Sequence, residues 1–127
     1  MFPKEKIKKL FLIFILIFII ILIFAFVDFL LHSVSAEYAV PPRYFPNKII
    51  YGTIYGFFIF LLIRKKNPFL RTIVFSLTLD VILQMRYFLE GYPFDFVFLF
   101  LILHFLILVP VSWIFFRLME SGNINTF

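Results

Sequence analysis

The sequence predicts an all-α integral membrane protein: an antiparallel bundle of four transmembrane helices with both termini in the cytoplasm. Three observations lead to this prediction. Hydrophobic residues make up 64% of the 127-residue chain, whereas soluble domains are nearer half apolar. They fall into four long blocks that are separated by short connections containing Pro or Gly, as expected of helical hairpins in a bilayer. Lys and Arg gather in alternate connections, a bias that orients such blocks in a membrane.

The first two predicted helices differ in length. The first covers residues 10–31 and contains one acid, Asp28, near its end. The second covers residues 48–63, which is short against the roughly 20 residues that a straight spanning helix needs. Lys48 is therefore expected at its end, with its side chain extending to the interface as long basic side chains do.

The last two helices are predicted at residues 69–89 and 96–116, after the connections "RKKNP" and "EGYP". Pro110 lies in the last third of the fourth helix and is expected to kink it, because Pro removes one backbone hydrogen bond. The connections are too short to hold a soluble domain, so the chain is predicted to be a single membrane domain.

The basic residues predict the orientation. Nine Lys and Arg lie at the two termini and in the second connection, against three in the other connections and at the end of the third helix. Since basic residues favour the cytoplasmic side, we expect a multi-pass protein of the cell membrane with both termini inside. A cleaved signal peptide is the competing interpretation of residues 4–36, but the apolar run of 18 residues exceeds the usual ~7–15. An uncleaved anchor is favoured.

Several function classes are excluded or disfavoured. The chain has no Cys, which excludes disulfides, thiolate metal sites and thiol redox chemistry. No nucleotide-binding loop, nucleophile elbow, dinucleotide fingerprint or DNA-reading motif is present. The net charge of +5 is accounted for by residues flanking the apolar blocks, so the expected partner is the lipid bilayer and not nucleic acid.

A polar stripe in the third helix is the main candidate site. Its residues are spaced by four and therefore share one helix face: Thr72, Ser76, Asp80 and Gln84. An Asp at a helix centre costs about 2.5–3.5 kcal/mol when it faces lipid, so the stripe is expected to face the bundle interior.

His104 in the fourth helix is the expected partner of Asp80. Counted from the predicted cytoplasmic ends, Asp80 lies about 16 Å deep and His104 about 18 Å deep, at 1.5 Å per residue. The pair is predicted to be either a proton or ion site, with the stripe forming a polar path, or an interhelical hydrogen bond that fixes packing.

A second polar group is predicted nearer the outer end, where Asp28 and His32 share a face of the first helix and Arg86 and Glu90 share a face of the third. These residues are expected either to form interfacial ion pairs or to line an outer vestibule. At 1.5 Å per residue, Asp28 lies about 27 Å along its helix from the predicted cytoplasmic end and Asp80 about 16 Å along its own, so the two groups are not expected to converge unless the helices tilt or break. Neither a metal site nor a cofactor is predicted.

Gly52 and Gly56 in the second helix have G-x-x-x-G spacing. This spacing allows close approach of another helix backbone. The partner is either a helix of the same bundle or a second copy of the chain across a dimer seam.

Three function classes remain open. The first is a small proton- or ion-coupled transporter or channel-like protein, with Asp80 as the ion carrier, His104 as its partner and possible homodimerisation. The second is a structural or assembly subunit of a membrane complex, held by a partner subunit. The third is an intramembrane lipid-modifying enzyme that uses Asp28, His32 and His104; the lack of catalytic motifs disfavours it.

Overall fold

The computed structural model describes residues 3–123, which fold into four α-helices and one short 3₁₀ turn. The helices are α1 (Lys4–His32), α2 (Tyr44–Ile63), α3 (Pro68–Leu89) and α4 (Phe94–Ser121). All four are long and apolar enough to cross a membrane by length and composition. The predicted all-helical architecture with four apolar helices is therefore confirmed at this level.

Helix ends are set by backbone signals more than by hydropathy. The side chain of Asn67 accepts a hydrogen bond from the Leu70 amide at 2.9 Å, with Pro68 in the first helical position, so α3 has a capped start. Gly91, with φ +83°, follows the end of α3, a conformation that Gly adopts without the steric cost of a Cβ.

The observed helices are longer than the apolar blocks. α2 begins at Tyr44 and has 20 residues, so the expected start at Lys48 was wrong and Lys48 lies one turn inside the helix. α1 and α4 extend to 29 and 28 residues, because basic and polar residues beyond the apolar blocks are also hydrogen-bonded as helix. Hydropathy marks the apolar part of a helix and not its hydrogen-bonded length.

Each helix packs against two others in the order α1, α2, α3, α4 around the bundle, with α1 closing the ring against α4. Both described chain ends and the α2–α3 connection lie at what we call the terminal end. The α1–α2 and α3–α4 connections lie at the opposite end, the loop end. Large apolar side chains remain exposed around the bundle, among them Phe11, Phe26, Leu62 and Leu89, which fits a lipid environment and not water.

Two apolar clusters fill the interior. The larger consists of Ile, Leu, Met and Phe side chains from all four helices, including Ile17, Phe75 and Phe116. The smaller is aromatic, contains Tyr87 and Phe100, and lies toward the loop end. Buried ionisable side chains lie beside both clusters, and they form the candidate site.

Candidate functional site

Asp28 is the centre of a buried polar cluster. Its carboxylate is completely buried. One oxygen, Oδ2, accepts a hydrogen bond from the ammonium group of Lys48. The other, Oδ1, lies 2.6 Å from Nε2 of His104 and 3.2 Å from Nε2 of His32. We call Asp28, His32, Lys48, Asp80, Tyr87 and His104 the Asp28 cluster; all four helices contribute to it.

His32 is fixed by contacts on every side. It follows Asp28 by four residues on α1, which places both on one helix face. Its Nδ1 lies 2.7 Å from the carbonyl oxygen of Tyr38, beyond the end of α1, and its Nε2 lies 3.0 Å from the hydroxyl of Tyr87. The ring stacks on Phe100 with the centroids 4.0 Å apart and the planes 9° apart. Such packing leaves the imidazole little rotational freedom.

Lys48 is a buried partner and not an interfacial side chain. It is 4% exposed and donates to both Asp28 and the hydroxyl of Tyr87. The expectation that it extends to the interface was wrong, because α2 starts one turn earlier and carries Lys48 inward. A buried ammonium group needs a counter-ion, and Asp28 supplies it.

Asp80 and His104 lie close together, as their helical positions suggested. Nδ1 of His104 is 3.6 Å from Oδ1 of Asp80, and both side chains are completely buried. This distance is too long for a hydrogen bond. Within residues 3–123, neither oxygen of Asp80 nor Nδ1 of His104 has a hydrogen-bond partner.

The α3 stripe lies inside the bundle over its full length. Its four members are between 0 and 3% exposed: Thr72, Ser76, Asp80 and Gln84. The residues at the two ends of the stripe donate hydrogen bonds to backbone carbonyls: Thr72 to Pro68 at 2.8 Å and Gln84 to Val97 at 2.7 Å. Ser76 Oγ, like Ser112 Oγ on α4, has no partner in the described part of the chain.

Asp28 and His32, which the sequence analysis assigned to a separate outer group, meet His104 and Asp80 in the structure. Asp28 lies four residues from the end of α1, whereas His104 lies ten residues into α4; yet their side chains touch. The helices therefore do not end in one plane, and α4 extends further than α1 at the loop end by about 9 Å. Counting depth from assumed coplanar ends was the error.

Arg86 is not part of this cluster. Its Nε lies 3.3 Å from Glu90, at 31% and 38% exposure of the two side chains, and its guanidinium group lies over the ring of Tyr44 at 4.1 Å. An Asp28–Arg86 ion pair was one sequence-based interpretation; in the structure the cationic partner of Asp28 is Lys48.

Gly52 and Gly56 face the interior of the same bundle. A Cβ at Gly52 would lie 3.1 Å from Ile21, and one at Gly56 would lie 3.1 Å from Ile17 and 3.3 Å from Phe75. The glycines thus allow α2 to approach α1 and α3, and this face of α2 is occupied by the chain itself.

Sequence reasoning missed Lys48, Tyr87 and Ser112 as members of the polar interior. Tyr87 follows Asp80 by seven residues and so continues the same stripe, a signal that was available. Ser112 follows His104 by eight residues and shares its buried face of α4. Only Lys48 lacked a local signal, since a basic residue at the edge of an apolar block is normally interfacial.

A groove between α2 and α3 reaches the cluster from the side. It has a volume of about 480 Å³, and its lining includes Lys48, Tyr51, Tyr55, Met85 and Arg86. Lys48 belongs to both the groove lining and the Asp28 cluster, so it links the two.

Comparison of the chain with protein-family models, with curated proteins and with solved structures finds no match.

Proposed function

We propose that this chain is a small multi-pass membrane protein that moves a cation across the bilayer through the interior of its bundle. The observation that supports the proposal best is a run of buried polar atoms without hydrogen-bond partners in residues 3–123: Ser76 Oγ, both oxygens of Asp80, Nδ1 of His104 and Ser112 Oγ. Buried polar groups in proteins are normally paired, with protein or with water. Unpaired groups in a row are therefore suited to hold water or a hydrated ion.

Charge supports a cation over an anion. Asp28 and Asp80 are both buried acids, and Lys48 is the one buried lysine that faces them among the described residues. With both carboxylates ionised and both imidazoles neutral, the Asp28 cluster carries a formal charge of −1; the other buried cation of the described chain, Arg71, pairs with Glu120. Charged groups inside a bundle are costly and occur mainly along ion or substrate pathways.

In this proposal the protein lies in the cell membrane with both termini in the cytoplasm, an orientation supported by the basic residues of the terminal end. Thr72 and Ser76 of the α3 stripe form the part of the path between the terminal end and Asp80. The Asp28 cluster forms the ion-binding part of the path. Asp80 joins the two, because it belongs to the stripe and lies beside His104.

The test is a flux measurement in liposomes that contain the purified protein. Proton, Na⁺ and Co²⁺ entry are each followed with a fluorescent indicator under an imposed membrane potential. Flux of at least one cation is expected to exceed that of empty liposomes and to be lost in Asp80→Asn, while Glu37→Gln, an exposed acid at the loop end, keeps it. Flux equal to empty liposomes for all three cations would refute the proposal.

A lipid-modifying enzyme is the second candidate, and the α2–α3 groove favours it. The groove opens on the side of the bundle and leads to Lys48, so a lipid headgroup could reach the Asp28 cluster without crossing the membrane. Mass spectrometry of lipids incubated with the protein separates the two candidates: a new lipid product without ion flux supports the enzyme.

A further inference from the structure

We infer that Asp28, His32 and His104 form a binding site for a divalent transition-metal ion such as Zn²⁺. Oδ1 of Asp28 and one nitrogen of each histidine all lie within 4.8 Å of one another. Two imidazoles and one carboxylate are a common ligand set for zinc and for non-haem iron. The inference concerns binding alone and does not depend on whether the ion is transported.

Both histidine rings turn Nε2 toward the same oxygen, Oδ1 of Asp28. A backbone carbonyl can only accept a hydrogen bond, so Nδ1 of His32, 2.7 Å from the Tyr38 oxygen, carries the proton and Nε2 of that ring is free to bind a metal. Nε2 of His104 lies 2.6 Å from Oδ1 of Asp28 and donates a hydrogen bond to it in the metal-free chain. A bound metal ion would take the place of that proton.

The contacts of His32 match the surroundings of metal-binding histidines in general. Such residues almost always donate their second ring nitrogen to a carbonyl or a carboxylate, which fixes the tautomer and the ring orientation. Nδ1 of His32 has the carbonyl of Tyr38 at 2.7 Å, whereas Nδ1 of His104 lies 3.6 Å from Asp80, beyond hydrogen-bond distance. The ligating carboxylate is also normally hydrogen-bonded, and Lys48 donates to the second oxygen of Asp28.

The three atoms already have nearly the spacing of metal ligands. Oδ1 of Asp28 lies 2.6 and 3.2 Å from the two nitrogens. In a tetrahedral site with bonds of 2.0–2.1 Å, ligand atoms lie about 3.3 Å apart.

The site leaves one position open. The hydroxyl of Tyr87 lies beside the site, 3.0 Å from Nε2 of His32, and accepts a hydrogen bond from Lys48. Three protein ligands with an open position are typical of zinc sites that exchange a ligand, whereas structural sites are closed.

The first experiment uses the full chain in detergent micelles, freed of metal with a chelator, and then loaded with Zn²⁺. One Zn²⁺ per chain is expected by elemental analysis after removal of the excess. X-ray absorption at the zinc edge is expected to show two imidazoles in the coordination shell. No retained zinc, or a shell made only of oxygen, would overturn the inference.

Variants locate the site. His104→Gln removes one of the three ligands and is expected to weaken Zn²⁺ binding by more than about 100-fold, beyond the ~10–100-fold typical of losing a hydrogen bond to a ligand. Glu37→Gln serves as the control and is expected to bind as the original chain does. Equal binding by His104→Gln and the control would overturn the inference. If His104→Gln fails to fold, the X-ray absorption result on the unaltered chain decides.

The measurement separates the metal site from the proposed transport. Zinc binding with two imidazoles but no cation flux supports a resident metal and refutes transport. Flux without zinc binding refutes the metal site and leaves the proposed transport standing.

Discussion

The ion pair between Asp28 and Lys48 makes a prediction about stability that can be worked through in detail. Asp28→Asn keeps the shape of the side chain but leaves the ammonium group of Lys48, 4% exposed, without a counter-ion. Breaking a buried ion pair by removing one partner costs about 3–5 kcal/mol. We expect a loss of this size in the free energy of unfolding, measured in the presence of a chelator.

Lys48→Met leaves a less damaged site, because Nε2 of His104, 2.6 Å from Asp28, still donates a hydrogen bond to the remaining carboxylate. We therefore expect Lys48→Met to cost less than Asp28→Asn. The double variant removes both charges at once, and neutral replacement of a whole buried pair is often tolerated. Its cost is expected to fall below the sum of the single costs by about 3 kcal/mol.

The assay is reversible unfolding in mixed micelles with increasing sodium dodecyl sulfate, followed by circular dichroism. Glu90→Gln is the control: it breaks the exposed pair with Arg86, and exposed pairs contribute about 0–1 kcal/mol. Additive costs in the double variant would refute the argument, since they would mean that Asp28 and Lys48 do not interact.

Three further predictions concern packing, capping and conformation, and the same unfolding assay measures all of them. Gly56→Ala is expected to destabilise the protein by about 1–3 kcal/mol, because its Cβ would lie 3.1 Å from Ile17; no measurable loss would show that α2 can move away. Asn67→Ala is expected to cost about 1 kcal/mol through the lost cap of α3, and Asn67→Asp, which keeps the cap, should not. Gly91→Ala is expected to cost about 1–2 kcal/mol through its positive φ alone, since no atom lies within 4 Å of the new Cβ; a larger loss would indicate a hidden contact.

The fold was predictable because each helix contains a long apolar block, and few structures other than membrane-spanning helices accommodate such blocks. Composition and the spacing of the Pro and Gly connections were enough to give four helices. Helix ends were less predictable, as α2 shows: its first turn, Tyr44–Asn47, contains an aromatic residue, a Pro and an Asn, which also suit a connection. Hydropathy carries no information on whether such residues are hydrogen-bonded as a helix.

The site was predictable in part. The burial of the α3 stripe followed from the cost of exposing Asp80 to lipid, which depends on one helix alone. The contact between Asp28 and His104 depends on how far α1 and α4 are shifted relative to each other along the bundle axis. That shift is set by packing and by the 3₁₀ turn at Ala36–Tyr38, which follows α1. No pattern within a single helix contains information on that shift, so the two polar groups were assigned to different depths.

Stability alone does not account for the Asp28 cluster. Well-packed apolar side chains of similar volume are often as stable as a buried ion pair or more so, and this bundle already has two apolar clusters that could extend through the same space. Helix pairing does not require it either, because Gly52 and Gly56 bring α2 against α1 and α3 by shape alone. What the cluster adds is a buried carboxylate with two imidazole nitrogens directed at it, beside a second carboxylate, Asp80, that has no hydrogen-bond partner in the described part of the chain. Such a set suits a cation, and both the proposed transport and the proposed metal site draw on it.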